Sequence, residues 1–262
     1  MDLGLKDRVV IVAASGQGIG RATAEAFAAE GCKLAICARS TQTLRLLAGT
    51  IAGKHRVPVH SCGLDVGDPA AVRQFVAEVA DRFGGVDVCV TNAGGPPGKA
   101  FLDTTDDDWR SAVDANLLSV VHMARAVIPH MQKKKWGRLI TITSLTVKQP
   151  VNGLVLSNGV RTAVSGLVRS LANEFGKDGI TVNNVGPGYT ATERLKELAR
   201  TQAAAGGVSE DDIFKRWAAD SPLQRIARPE EVAETIVWLA SERASFITGQ
   251  TILVDGGAYK GL

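Results

Sequence analysis

The chain has 262 residues, and its 30 basic and 27 acidic side chains are mixed along it, for a formal net charge of +3. This balance gives no electrostatic reason to expect nucleic acid or an anionic membrane as partner, so we expect a small-molecule ligand. The four cysteines form no zinc-type pattern, and we expect no metal. Because the chain starts without a signal-peptide pattern and no apolar run reaches the ~20 residues of a membrane helix, we predict a cytoplasmic protein.

Short apolar runs alternate with longer amphipathic runs, the pattern of a parallel sheet covered by helices on both faces. Seven runs predict strands: Arg8–Ala13, Lys33–Ala38, Val57–Leu64, Val86–Thr91, Gly137–Thr143, Ile180–Val185 and Gln250–Val254. Six runs predict crossover helices: Gly18–Glu30, Thr41–Lys54, Pro69–Phe83, Trp109–Gln132, Gly153–Lys177 and Glu230–Ser241. The sequence therefore predicts a single α/β domain over residues 1–262, a Rossmann-type doubly wound sheet of seven parallel strands.

Residues 190–221 interrupt the alternation of strands and helices. They are richer in alanine and charged side chains than the rest of the chain. Mobile, polar segments of this kind often cover a binding site, so we predict a lid here.

A glycine-rich loop follows the first predicted strand and opens the first predicted helix. Residues 13–20 read Ala-Ala-Ser-Gly-Gln-Gly-Ile-Gly. Glycines at such a point permit a tight turn and let backbone N–H groups approach a pyrophosphate at the helix N-terminus. The loop alone is a weak signal, and a structural turn without a ligand is the alternative. Its position favours a dinucleotide site.

The end of the second predicted strand bears on the choice of nucleotide. A carboxylate there would bond the ribose 2′-hydroxyl of NAD, whereas an arginine favours the 2′-phosphate of NADP. Here Ala38 is followed by Arg39 and Ser40. The sequence therefore predicts NADP(H), with NAD(H) as the alternative and a merely solvated Arg39 as the conservative interpretation.

Several motifs together resemble the short-chain dehydrogenase/reductase family over essentially the whole chain. They are the glycine loop, Leu64-Asp65-Val66, Thr91-Asn92-Ala93-Gly94, Trp109 to Asn116, Leu139 to Ser144, and Pro187-Gly188-Tyr189-Thr190-Ala191-Thr192. The match looks most like the 3-oxoacyl carrier-protein reductase group. The family has threonine and glycine where Ala13 and Ala14 stand here, so a loop that is slightly reshaped, or that carries a small conformational cost, is expected.

The resemblance implies a cofactor site, a catalytic set and an assembly. The implied cofactor contacts are Ser15, Gln17, Gly18, Ile19, Gly20, Arg39, Ser40, Asp65, Val66, Asn92, Ala93, Gly94, Pro187, Gly188, Thr190 and Thr192. Asn116 would hold a water in a proton relay, and Ser144 would orient the substrate carbonyl. Ser157 and Arg161 occupy the other two catalytic positions. The family further implies a small-molecule carbonyl or alcohol substrate, a strand order of 3-2-1-4-5-6-7, and a homotetramer or homodimer.

Ser157 and Arg161 depart from the family, which has tyrosine and lysine there. An aliphatic hydroxyl is a far weaker acid than a phenol with a pKa of ~10. A guanidinium can bond a ribose but keeps its proton up to pH ~12 or above. Tyr189, Lys148 and Tyr259 are the remaining candidate donors, and for each a structural role is the more conservative interpretation.

Two hypotheses follow for the activity. The first is an NADP(H)-dependent oxidoreductase that reduces a ketone or 3-oxoacyl substrate with an unconventional proton donor. The second is a catalytically impaired, cofactor-binding regulatory or partner protein. A weaker third is an isomerase or dehydratase on the same scaffold.

Overall fold

The computed structural model describes residues 1–262 and contains one sheet of seven parallel strands. The strands are β1 (Val9–Ala13), β2 (Lys33–Ala38), β3 (Val59–Gly63), β4 (Val88–Thr91), β5 (Gly137–Ile142), β6 (Ile180–Pro187) and β7 (Thr251–Val254). Their order across the sheet is β3-β2-β1-β4-β5-β6-β7. The predicted fold class is confirmed.

The chain forms nine α-helices. They are α1 (Gly18–Ala29), α2 (Thr41–His55), α3 (Pro69–Phe83), α4 (Asp106–Val113), α5 (Ser119–Lys134), α6 (Val155–Phe175), α7 (Glu193–Gly206), α8 (Glu210–Asp220) and α9 (Pro229–Ala240). The predicted lid segment contains α7 and α8, which pack on each other around Leu195, Ile213 and Trp217.

The alternation of side chains along each strand divides the core into two layers. In β1, Val9 and Ile11 point into a cluster of 24 buried residues shared with α3, α5 and α6, while Val10 and Val12 point into a cluster of 23 shared with α1, α2 and α9. Successive side chains of a strand face opposite sides of the sheet. A strand that is apolar at every position therefore needs helices on both faces, and α3, α5 and α6 supply one face while α1, α2 and α9 supply the other.

The predicted helix over residues 109–132 differs from the observed segment in two ways. It starts earlier, at Asp106, because Thr105 and Asp108 form a reciprocal capping box at its N-terminus. It is also interrupted by a π-helical turn, Asp114–Leu118, between α4 and α5. The whole stretch 106–134 is long and apolar enough to span a membrane, but its apolar side chains, such as Met123, are buried against the sheet as in a core helix.

The carboxyl ends of the parallel strands meet at one edge of the sheet. Loops from this edge lead into α1, α2, α4 and α7, and β5 continues there into a short 3₁₀ turn, Leu145–Val147. In open α/β sheets this edge is where ligands bind. The motifs singled out in the sequence lie along it.

Candidate active site

The glycine loop is held firmly at the end of β1. Ser15 is fully buried, and its hydroxyl donates to the carbonyl oxygens of Val12 at 3.1 Å and Cys37 at 3.3 Å. Ala14 adopts a left-handed backbone with φ of +48°. An alanine is strained in this region, so the loop carries the conformational cost anticipated from the sequence.

Three neighbours close around the glycines of this loop. A Cβ on Gly18 would lie 3.1 Å from Cγ2 of Thr192, and one on Gly20 would lie 3.0 Å from Nδ2 of Asn92 and collide with the carbonyl oxygen of Ala14. The loop is thus packed between the end of β4 and the start of α7. It has the bare backbone and close quarters that a dinucleotide pyrophosphate requires, so the residues present fit the cofactor.

The end of β2 presents a cation without a partner. Arg39 is exposed and forms no ion pair. Ser40 caps α2: its hydroxyl accepts from the backbone N–H of Thr43 at 3.3 Å and shares a 2.8 Å hydrogen bond with the Thr43 hydroxyl. A groove of about 270 Å³ runs beside this end, between the glycine loop and α2. Arg39 thus has no carboxylate partner within the protein.

The other predicted cofactor residues lie at the same edge with different surroundings. Gln17 is exposed at the start of α1, and Ile19 packs into the core beside it. Asp65 is exposed, and one carboxylate oxygen accepts from the N–H of Gly67 at 2.8 Å. Val66 packs against the core on the opposite face of the sheet.

Hydrogen bonds to β7 and within the segment hold residues 188–192 in place after β6. Gly188 donates its N–H to the carbonyl of Val254 at 3.0 Å and accepts from the buried Thr190 hydroxyl at 3.1 Å. Thr192 caps α7, with its hydroxyl accepting from the N–H of Leu195 at 3.2 Å. Pro187, the last residue of β6, leads into this segment, which is the one that would face the nicotinamide.

Ser144 and Ser157 are brought together around Thr146. The Ser144 hydroxyl accepts from the backbone N–H of Thr146 at 3.2 Å, and the hydroxyls of Thr146 and Ser157 are hydrogen-bonded at 3.2 Å. Ser144 lies two residues after β5 and caps the 3₁₀ turn, while Ser157 lies in the first turn of α6. Thr146 was not predicted as a site residue, although it lies two residues after Ser144.

Asn116 lies in the π turn with half of its amide unpaired. Its Nδ2 donates to the carbonyl of Ala112 at 3.3 Å, whereas its buried Oδ1 has no partner. The Thr91 hydroxyl is also buried without a partner, and both residues line a cavity of about 10 Å³ together with Arg161. This volume and lining suit one water molecule. π turns are often found at functional sites because they redirect one side chain of a helix.

Arg161 is only 7 % exposed and has no carboxylate partner. Its Nη1 donates to the carbonyl oxygens of Thr143 at 2.9 Å and Ile142 at 3.2 Å, and its Nη2 to that of Ala93 at 3.5 Å. Burial, with a smaller contribution from the charge of Arg194, lowers the pKa of Arg161 to about 10. The guanidinium is therefore still charged at neutral pH.

None of the alternative donors is bonded to Ser144 or Ser157. Tyr189 stacks on Trp217 with ring centroids 4.9 Å apart, and burial raises its pKa to about 12. Lys148 is exposed, and Tyr259 is held at its backbone N–H by Asp255. No group of three or more His, Cys, Asp or Glu side chains is placed to hold a metal ion.

Comparisons with known proteins identify the class. A profile described as enoyl-(acyl carrier protein) reductase matches residues 13–259. A Streptomyces virginiae protein named as a ketoacyl reductase of the monensin polyketide synthase is 38 % identical over 257 residues, 95 % of this chain and 96 % of its own. The 3-oxoacyl-[acyl-carrier-protein] reductase FabG of Escherichia coli is 31 % identical, over 98 % and 99 % of the two chains.

A solved structure extends the match to three dimensions. L-sorbose reductase from Gluconobacter frateurii, complexed with NADPH and L-sorbose, superposes with a TM-score of 0.95 at 32 % identity, over 100 % of both chains. The chain belongs to the short-chain dehydrogenase/reductase family. Within it, the chain falls in the 3-oxoacyl-[acyl-carrier-protein] reductase-like branch, and its class is oxidoreductase.

Proposed function

We propose that the protein is an NADP(H)-dependent reductase that converts a ketone or 3-oxoacyl substrate into an alcohol. The observation that carries this proposal is the packing of Gly18 and Gly20 against Thr192 and Asn92, at the same edge of the sheet as the Ser144–Thr146–Ser157 cluster. One edge of the sheet thus combines a dinucleotide cradle with hydroxyl groups for a carbonyl oxygen. The L-sorbose reductase complex with NADPH supports the same choice of cofactor.

The cofactor would lie along the edge from Arg39 to Thr192. The glycine loop and the N-terminus of α1 would hold the pyrophosphate. The free guanidinium of Arg39 would pair with the 2′-phosphate of NADP. A carboxylate at position 38 would repel this phosphate and so favour NAD, but the residue there is Ala38. Asn92, Ala93 and Gly94 would face the ribose.

The reduction requires a hydride and a proton. When held by the glycine loop, NADPH would supply the hydride that the carbonyl carbon accepts. Ser144 and Ser157 would hold the carbonyl oxygen through their hydroxyls, which Thr146 orients. The proton on that oxygen would come from water, for which the cavity at Asn116 and Thr91 is the nearest prepared site. Because general acid catalysis typically contributes ~10²–10⁴ in rate, turnover would be slow without a phenol.

A second candidate function is a cofactor-binding protein without turnover. It is favoured by the hydrogen bonds of Arg161, which are to backbone carbonyl oxygens, and by the lack of any acid beside Ser144. In that case the protein would act as a regulatory or partner subunit. A homotetramer or homodimer, a lid formed by α7 and α8, and a cytoplasmic location stay predictions in either case.

The proposal is tested in two steps. Fluorescence titration first measures the binding of NADPH and of NADH. Oxidation of the bound nucleotide is then followed with short 3-oxoacyl thioesters and reactive diketones as substrates. We expect tighter binding of NADPH and slow turnover. The double substitution Ser157→Tyr with Arg161→Lys should raise kcat by ~10²-fold or more, since it restores a general acid.

Two controls separate loss of chemistry from loss of folding. Ser157→Tyr alone keeps the hydrogen bonds of Arg161, and NADPH affinity in each variant reports an intact cofactor site. Binding without turnover in the wild type and in both variants would favour the second candidate. No binding of either nucleotide would overturn both candidates.

A further inference from the structure

Arg161 places an uncompensated positive charge beside the reacting groups. It lies one helical turn after Ser157, its three hydrogen bonds go to neutral carbonyl oxygens, and no Asp or Glu pairs with it. A buried charge without a counterion is costly in free energy. The N–H on Nε and the second N–H on Nη2 donate to no protein atom.

A second arginine reaches the same place from the predicted lid. Nε of Arg194 and Nη2 of Arg161 lie 3.5 Å and 3.8 Å from the point where a Cβ on Gly95 would sit. Arg194 also donates to the carbonyl of Pro96 at 2.5 Å, which ties α7 to the loop after β4. Its one carboxylate neighbour, Glu197, is 3.6 Å away and 61 % exposed, so it offsets little of the charge.

We infer that Arg194, with Arg161 beside it, binds the carboxylate of a substrate that is an oxo acid. This inference rests on the proposed function and names its substrate class. Two guanidinium groups that converge on one point attract an anion, and arginine matches the geometry of a carboxylate with two parallel N–H groups. Because Arg161 bonds the carbonyl of Thr143, next to Ser144, this anion would lie close to the reacting ketone.

The cofactor diphosphate is the competing source of negative charge. Thr192, two residues before Arg194, contacts the glycine loop that would hold the diphosphate. The position of Arg194 favours the substrate instead, because its guanidinium lies beside Gly95 and donates to the Pro96 carbonyl, and none of its hydrogen bonds is to the glycine loop. The two sources predict different effects of substituting Arg194.

The test compares two oxo acids with their uncharged methyl esters: pyruvate and acetoacetate against methyl pyruvate and methyl acetoacetate. Calorimetric binding to the complex with NADP⁺ avoids turnover, because no hydride is available. We expect each acid to bind about 10- to 100-fold more tightly than its ester, the range for a hydrogen-bonded charge pair. Arg194→Gln should bring acid and ester within about threefold of each other, while Arg194→Lys should keep part of the preference.

Arg200→Gln is the matched control. Arg200 lies on the same helix but faces Glu210 at 3.4 Å, and its loss should leave the ratio of acid to ester affinity unchanged. Equal binding of acid and ester by the wild type would overturn the inference, and reduction of the ester with NADPH would leave the proposed reductase intact. If Arg194→Gln weakened NADPH binding but left the ratio of acid to ester affinity unchanged, Arg194 would be assigned to the cofactor diphosphate. That result would also overturn the inference of a carboxylate site. Tight acid binding with no reduction of any probe would support the anion site and contradict the reductase.

Discussion

Ala14 carries the backbone conformation of a glycine without being one. The loop must turn sharply between β1 and α1, and Gly20 leaves room for the Ala14 carbonyl only because it has no side chain. The φ of +48° at Ala14 satisfies this geometry at a cost of roughly 1 kcal/mol or somewhat more for an L-residue. The strain is thus stored within the cradle predicted for the cofactor.

Relieving this strain should stabilise the protein. We expect Ala14→Gly to raise the free energy of unfolding by up to about 1 kcal/mol, the relieved strain less the greater flexibility of glycine in the unfolded chain. Urea denaturation measures the change. Ala26→Gly, in the regular part of α1, is the control and should lower stability by about 1 kcal/mol. Destabilisation by Ala14→Gly would show that the alanine is not strained.

At the scale of single elements, α9 depends on one carboxylate for its start. Glu231 accepts from the backbone N–H of Arg228 at 2.7 Å and forms a bidentate pair with Arg225 at 2.6 Å and 2.7 Å. These hydrogen bonds lower the pKa of Glu231 to about 2, below its ordinary 4.5. Because α9 packs on α1, its start also supports the helix that follows the glycine loop.

Stability should depend on pH through Glu231. A carboxyl with a depressed folded-state pKa stabilises the fold above its unfolded pKa, and this contribution is lost as pH falls through the folded-state pKa. We therefore expect Glu231→Gln to lower the urea midpoint at pH 7, and the difference from the wild type to shrink below pH 4.5 and vanish near pH 2. Glu230→Gln, at the exposed neighbouring position, should have a smaller effect. A difference that is constant with pH would contradict the role of the ionised carboxylate.

At the scale of the whole molecule, one ligand would connect many loops. The predicted cofactor residues come from the ends of β1, β2, β3, β4 and β6, so binding would couple most of the sheet edge. A ligand that binds only the folded state raises its stability by mass action.

We expect NADPH at 100 times its Kd to stabilise the protein by ~2.7 kcal/mol. The same concentration of NADH should give a smaller shift in Tm, because only NADPH carries the phosphate that Arg39 would bind. Arg39→Gln should make the two shifts similar, whereas Arg45→Gln, at an exposed position of α2, should not. Equal Tm shifts with NADPH and NADH in the wild type would show that Arg39 does not select between the two cofactors.

The sequence predicts the sheet well because its signals are local. Each strand is a short apolar run, and the helix predicted over Pro69–Phe83 matches α3, whose first turn is capped by the Asp68 carboxylate accepting from the N–H of Ala70. The π turn has no comparable signal, since it shifts hydrogen bonds without changing the apolar pattern. The approach of Arg194 to Pro96 joins positions 98 residues apart and depends on how the predicted lid packs. The roles of the site residues stay predictions.

The hydrogen bonds of Arg161 have a consequence for how this protein could evolve. One guanidinium joins the ends of β5 to the loop after β4, through two nitrogens that point in different directions. A lysine has a single terminal nitrogen and cannot span the same carbonyl oxygens with that geometry. A mutation of Arg161 to lysine would therefore loosen the sheet edge before a tyrosine at position 157 could benefit from it. The order of the two mutations would therefore matter: a tyrosine at position 157 introduced first keeps the hydrogen bonds of Arg161, whereas a lysine at position 161 introduced first loses them.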